Sequence, residues 1–256
     1  MESDNNFILN AAYDYAARGW VVTPIHLGTK RAYLSGYTTR PLAWDEFYKH
    51  FNNNKNIGVV LGRLSNKADI DFDCDEAARL GPQVFPPTDA IFGRKSRPQS
   101  HRFYSVINPG PRKVFKDAIL EAQRKQGDDD KAMIVEYRGD GCQTMAPPSL
   151  HPTLGEGRLK WMKPGAAPAS VTRDELLKCC AKLAIMVMRE RYSDKQIAAL
   201  PQAAANLEEW QAILEGREPV FVVNLSDNCA LRHEKKTPCA PTSKELKVFR
   251  ETLINS

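Results

Sequence analysis

The stretch Ala68-Asp69-Ile70-Asp71-Phe72-Asp73 alternates apolar and acidic residues without a break. Side chains on a β-strand repeat every two residues, so this pattern predicts a strand with one apolar face and three carboxylates on the other. Carboxylates gathered on one face repel each other, and a nearby cation relieves that cost. A divalent metal is the simplest such cation. Two further charged stretches follow, Arg97-Pro98-Gln99-Ser100-His101-Arg102 and Val135-Glu136-Tyr137-Arg138-Gly139-Asp140. Each lies in or beside a short apolar run that also reads as a strand. Metal-binding acids beside a histidine and several arginines point to phosphate chemistry.

Outward from the acidic strand, helical and strand-like patterns alternate. Residues 5–18 carry Phe7, Ile8, Ala11, Ala12, Tyr15 and Ala16 at helical spacing, with Gly19 at the stop. Strands are expected at Trp20–Ile25, Asn56–Gly62, Arg102–Val106, Met133–Tyr137 and Gln143–Ala146. Helices are expected over 42–51, from Glu76 with Asp75 as its cap, over 115–124, over 172–191 behind Thr172 or Ser170, and over 194–214. Residues 27–42, carrying Lys30 and Arg31, read as loop. Residues 81–100 read as loop-rich because of Pro82, Pro86, Pro87 and Pro98, and 127–130 as a turn. The mixture argues for an α/β or α+β domain over 1–165, a helical appendage over 166–215 and a polar tail over 216–256.

Composition narrows the class. The chain has 256 residues, 42% hydrophobic and 26% charged, enough for a sizeable core. A formal net charge of +5 permits a polyanionic partner without requiring one. No apolar run approaches a membrane span, so no membrane partner is expected. The N-terminus shows no export signal, and six cysteines without a disulfide-scaffold pattern read as reduced thiols in the cytoplasm. Cys229, His233 and Cys239 match zinc spacings poorly.

Together, Asn56 to Gly62, the acidic strand, Phe92 to Tyr104 and Glu136 to Pro152 resemble a primase-polymerase domain of the archaeo-eukaryotic primase superfamily. Such domains occur in phages, plasmids and other mobile elements. The likeness extends over residues 7–190. It implies an RRM-like catalytic sheet packed with a second small α/β unit, the active site between them. It also implies template-directed nucleotidyl transfer with Mg²⁺ or Mn²⁺. The substrates would be a single-stranded DNA template, a primer and nucleoside triphosphates; a replicative helicase would be either a separate partner or part of a longer chain of which this is a fragment. The setting would be the cytoplasm, that of the host if the protein is viral. The family's Asp-x-Asp maps onto Asp71 and Asp73. Asp69 is the rival start of the metal-binding pair, and the later pair is preferred because Gly62 lies at the family-like distance from Asp71. The third acid maps onto Glu136, where many relatives carry Asp. The Ser-x-His motif is imperfect, with Ser100 directly before His101, yet His101 matches the family's contact to nucleotide phosphate.

The residues support further readings. Arg94, Lys95, Ser96 and Arg97 form a cationic segment suited to phosphate oxygens, or else a solvated basic loop. Arg138 shares the face of Glu136 and either pairs with the acids or touches phosphate. Pro147-Pro148-Ser149 fixes a rigid turn that either presents Ser149 and His151 to the site as part of its wall or is purely structural. Tyr33, Tyr37 and Trp161 are candidates for stacking on bases or for the core. Two rival functions use the same residues: a catalytically inactive primase fold that binds single-stranded DNA as a replication accessory, and a metal-dependent nuclease with water as nucleophile.

Overall fold

The computed structural model describes residues 6–123 and 131–217. The expected turn at 127–130, nearly all of the expected tail and the Cys229, His233 and Cys239 set lie outside the described residues. The first helix, α1 (Phe7–Ala17), starts at Asn6, whose side chain accepts from the Leu9 N–H, and buries Ile8, Ala12 and Tyr15 along one stripe. β1 (Val22–His26) follows. The helix expected over 42–51 shrinks to a 3₁₀ turn at Trp44–Glu46 and the single turn α2 (Phe47–His50). Next come β2 (Lys55–Val60), β3 (Lys67–Phe72) and α3 (Asp75–Val84).

The loop-rich reading of 81–100 is corrected. α3 continues through Pro82, and a hairpin of β4 (Ile91–Arg94) and β5 (Arg97–Ser105) occupies the second half. Pro98 is tolerated because it falls at the register shift between Phe92 and Arg94, where ladder bonding is interrupted. The helix expected over 115–124 is also corrected. β6 (Lys113–Lys116) comes first, and α4 (Ala118–Ala122) starts behind Asp117, whose carboxylate accepts from the Ile119 and Leu120 N–H groups.

Then follow β7 (Met133–Arg138), β8 (Gln143–Ala146), β9 (Lys160–Trp161), β10 (Ala169–Ser170) and the long α5 (Arg173–Arg191), capped by Thr172. The last expected helix is two, α6 (Asp194–Ala199) and α7 (Pro201–Glu215). Pro201 at the first helical position starts the second cleanly and cannot continue the first.

The strands form two sheets. One is β1-β2-β8, antiparallel; the other runs β6-β7-β3-β5-β4-β9, with β10 beside the end of β5. The fold is therefore α+β, as the sequence implied. Ala68, Ile70 and Phe72 on one face of β3 share a buried cluster with Tyr104, Tyr137 and the Leu176, Leu183 and Val187 side chains of α5. The segment expected as a helical appendage thus packs directly onto the larger sheet. On the opposite face, Phe92 and Phe103 join Trp20, Ile57, Met145 and the buried stripe of α1 in a second cluster. The acidic face of β3 lies on this second side, where the two sheets meet.

Candidate active site

Strand register builds the site. Asp71 on β3 stands opposite His101 on β5 and opposite Glu136 on β7. Residues directly opposite in antiparallel strands share a face, so His101, Asp71 and Glu136 form a row across three strands. Asp73, one residue past β3, keeps its backbone bonded to Ile134 O at 3.1 Å. Asp71, Asp73 and Glu136 each offer an oxygen, and these lie within 4.8 Å of one another.

Asp69 stands apart from this triad. It is fully buried. Its Oδ2 accepts a 2.7 Å hydrogen bond from the Thr144 hydroxyl on β8 and a 3.0 Å contact from His101 Nδ1. The His101 ring lies flat on Phe92, 4.7 Å between centroids at 10°. Held by its edge and its face, the imidazole leaves Nε2 as the nitrogen without a hydrogen-bond partner among the described residues. Asp69, the rival metal ligand from sequence, therefore sits as a bracket behind the histidine.

The charges are not balanced. Burial and the neighbouring Asp71 carboxylate push the Asp73 carboxyl up to about 8. Burial acts in the same direction on Asp71, but His101 and Arg138 outweigh it and hold that group low. Burial would lower His101; Asp71 and Asp69 outweigh it and raise the imidazole. Arg138 reaches Glu136 at 3.0 Å, Asp71 at 3.4 Å and the Thr144 hydroxyl at 3.3 Å. Arg112 also pairs with Glu136. Two buried carboxylate oxygens remain without a hydrogen-bond partner among the described residues, Asp69 Oδ1 behind the histidine and Asp73 Oδ2 within the triad. An orphaned carboxylate oxygen in a three-carboxylate cluster fits a divalent cation with hard oxygen ligands.

A pocket opens beside the triad. Lys30, Arg94, Arg97, Ser100, His101 and His151 line it together with Asp71 and Asp73. Lys30 and Ser100 were not among the residues singled out for the site. His151 does arrive there; it accepts from the Thr153 N–H at 3.1 Å, and burial with Lys30 and Arg94 lowers its pKa. Arg97 secures the end of β3, donating to Asp73 O at 2.6 Å and pairing with Asp75 at 2.8 Å. Asp75 is accordingly the first residue of α3 and not its cap; Cys74 occupies that position. Ser96 is engaged by Glu156 through both its backbone N–H, at 2.9 Å, and its hydroxyl, at 2.5 Å.

Ser149 and Lys95 do not line the pocket. The Ser149 hydroxyl is buried and bonds both the N–H and the carbonyl of Ile57, at 2.8 and 3.1 Å, which fastens the Pro-Pro turn to β2. Lys95 projects at the β4–β5 turn into a neighbouring groove. That turn is tight: a Cβ on Gly93 would stand 2.0 Å from the Arg97 carbonyl. Thr144 and Arg112 were not found from sequence, and their only signal was position in or near a strand.

Two sheets meeting at a carboxylate triad, with a bracketed histidine and several cations facing it, define a protein suited to metal-assisted chemistry on phosphate esters. The chain belongs to the Prim-Pol family, described as the bifunctional DNA primase/polymerase, N-terminal; the match covers residues 12–173. A comparison with curated proteins finds no match. The family assigns the chain to DNA primase/polymerase activity in general, with DNA and nucleotides as substrates. Among the described residues, no helix is long and apolar enough to cross a membrane.

Proposed function

We propose that this protein is a template-directed nucleotidyltransferase that builds DNA on a single-stranded template, as a primase, a polymerase or both. The observation that carries this reading is the row of His101, Asp71 and Glu136 with the unsatisfied Asp73 beside it. Asp71, Asp73 and Glu136 would hold Mg²⁺ or Mn²⁺, which supplies the positive charge that stabilises an in-line phosphoryl transfer. His101 presents Nε2 to the triphosphate, and its direction is fixed by Asp69 and Phe92. Lys30, Arg94 and Arg97 add cationic contacts to phosphate oxygens. A neutral His151 closes the far wall. In the transfer, a primer 3′-hydroxyl gives up its proton to solvent as its oxygen bonds to the α-phosphorus of the bound nucleotide, the bond from that phosphorus to the oxygen bridging to the β-phosphate breaks, and pyrophosphate leaves. The setting we favour is replication of a phage, plasmid or other mobile element in the cytoplasm, in company with a replicative helicase.

The test is extension of a labelled primer on single-stranded DNA with Mg²⁺ or Mn²⁺, with and without deoxynucleotides, beside unprimed templates. Ladders that grow only with nucleotides, and vanish in Asp71→Ala/Asp73→Ala, support the reading. Shortening of the DNA without nucleotides would replace it with a nuclease. Intact DNA that shifts on a native gel but never grows would replace it with a non-catalytic strand-binding accessory.

A further inference from the structure

Beside the nucleotide pocket, and sharing Arg94 with it, lies a groove of about 590 Å³ along the β4–β9 edge. Its lining includes four cations, Arg94, Lys95, Arg158 and Lys160, against one carboxylate, Glu156. Glu156 is already committed to Arg94, at 3.4 Å, and to Ser96. Lys95 and Lys160 are exposed and have no ion-pair partner among the described residues. Arg158 is fixed in place, donating to Pro148 O at 3.0 Å with its guanidinium over the Phe7 ring.

Between these charges the lining is apolar. Trp161 is held rigidly, its indole N–H bonded to the Tyr15 hydroxyl at 2.8 Å and its ring edge-on to Phe92 at 4.8 Å. Met162 beside it is 52% exposed. An aromatic platform with cations alongside suits a strand that offers base faces and phosphates at once. Arg94 lines both the groove and the nucleotide pocket, so an occupant would lie next to the bound nucleotide.

We propose that this groove seats the single-stranded DNA template. Its bases rest on Trp161 and Met162, and its phosphates lie on Lys95, Arg158 and Lys160. The contacts are stacking and charge, with no set of donors and acceptors matched to base edges, so the seat is sequence-tolerant. The assignment of the strand as template rests on the polymerase reading above.

The experiment is fluorescence anisotropy of a labelled oligo-dT with the full chain in EDTA, across a series of salt concentrations. Lys95→Glu/Lys160→Glu is compared with Lys182→Glu/Lys195→Glu, which makes the same charge change on exposed helical positions of α5 and α6. The groove variant should weaken binding by about tenfold or more and reduce the salt slope by about 1.4, two phosphate contacts of a single strand. The comparison variant should change affinity less than about twofold. Binding of a fluorescent deoxynucleoside triphosphate should be unchanged in both variants. Photocross-linking with 5-iodouracil in the oligomer should label the peptide containing Trp161 and Met162. Equal losses in the two variants, no loss in the groove variant, or labelling confined to other peptides would overturn the proposal. Wild-type chain that binds the strand through this groove yet never extends a primer would sink the polymerase reading alone. Normal extension with undiminished strand binding by the groove variant would sink the groove alone.

Discussion

Two arginines in this molecule are each surrounded by acids, and they behave in opposite ways. Arg191, at the end of α5, makes two bonds to Glu76 of α3, at 2.9 and 2.8 Å, and a third to the buried Asp117 at 3.0 Å. The Tyr192 hydroxyl donates to the same Asp117 oxygen at 2.9 Å. Every charge there has a matched donor, and the hydrogen bond from Arg191 pulls Glu76 down to about 2. Arg138 lies among Asp69, Asp71 and Glu136, yet Asp73 beside them is pushed up to about 8. The first cluster closes a gap between helices. The second holds one carboxyl that the protein alone does not keep ionised. Direction of the pKa shift, more than number of acids, separates a clasp from a site built to receive a cation.

The sharpest way to break this contrast is to empty the second cluster. Asp71→Ala/Asp73→Ala should reduce primer extension at least about a thousandfold, since the metal's transition-state charge is lost. The fold should survive, because the removed groups repel each other; loss of the circular dichroism signal would make them structural instead. Emptying the first cluster should do the reverse. Arg191→Ala leaves Asp117 buried without its cation and should cost about 3–5 kcal/mol in urea denaturation. Extension per folded molecule should stay near wild type at low temperature.

The two clusters should also respond to pH with opposite sign when metal is chelated. Asp73 rises from an ordinary value of 3.8 to about 8. Its contribution to stability is complete below the lower value and is lost as pH rises through the upper one. Glu76 falls from 4.5 to about 2. Its contribution is present above the ordinary value and lost as pH falls toward the lower one. Melting temperature followed from acid to pH 9 in EDTA should therefore flatten on the alkaline limb in Asp73→Asn and on the acid limb in Glu76→Gln. Identical curves for either variant and wild type would remove the distinction for that cluster.

A smaller effect sharpens the role of the bracket behind His101. Asp69→Asn should weaken triphosphate binding about tenfold, the scale of a hydrogen bond to a charged group, and should do nothing further in a His101→Ala background. Thr144→Val should cost only about threefold in the same binding measurement. Additive losses in the Asp69 and His101 double variant would show that Asp69 acts by another route.

The acidic strand was legible because its period-two pattern serves both faces: Ile70 and Phe72 had to meet a core, and the acids had to point away from it. Glu136 was legible through the family resemblance, which mapped the third acid onto a stretch that also read as a strand. The β4–β5 hairpin was hidden by Pro98, whose effect depends on a register shift that composition does not reveal. Thr144 and Lys30 were hidden for a different reason. Thr144 reaches Asp69 across 75 residues of chain, and only the meeting of the two sheets brings them together. The two readings of the Pro-Pro turn divide between its residues: His151 lines the pocket, whereas the Ser149 hydroxyl serves the buried backbone of Ile57, whose need for partners the sequence does not display. The Arg191 clasp offered no signal beyond basic residues at a helix end.

Thr144 belongs to the small sheet and Asp69 to the large one, so the aim of His101 is referenced to the spacing between them. A shear of about 1 Å along the bond would carry the 2.7 Å contact beyond hydrogen-bond reach. The histidine is thus a gauge with little tolerance: any loosening of the seam between the sheets is registered at the point where a nucleotide would be held, before either core has come apart.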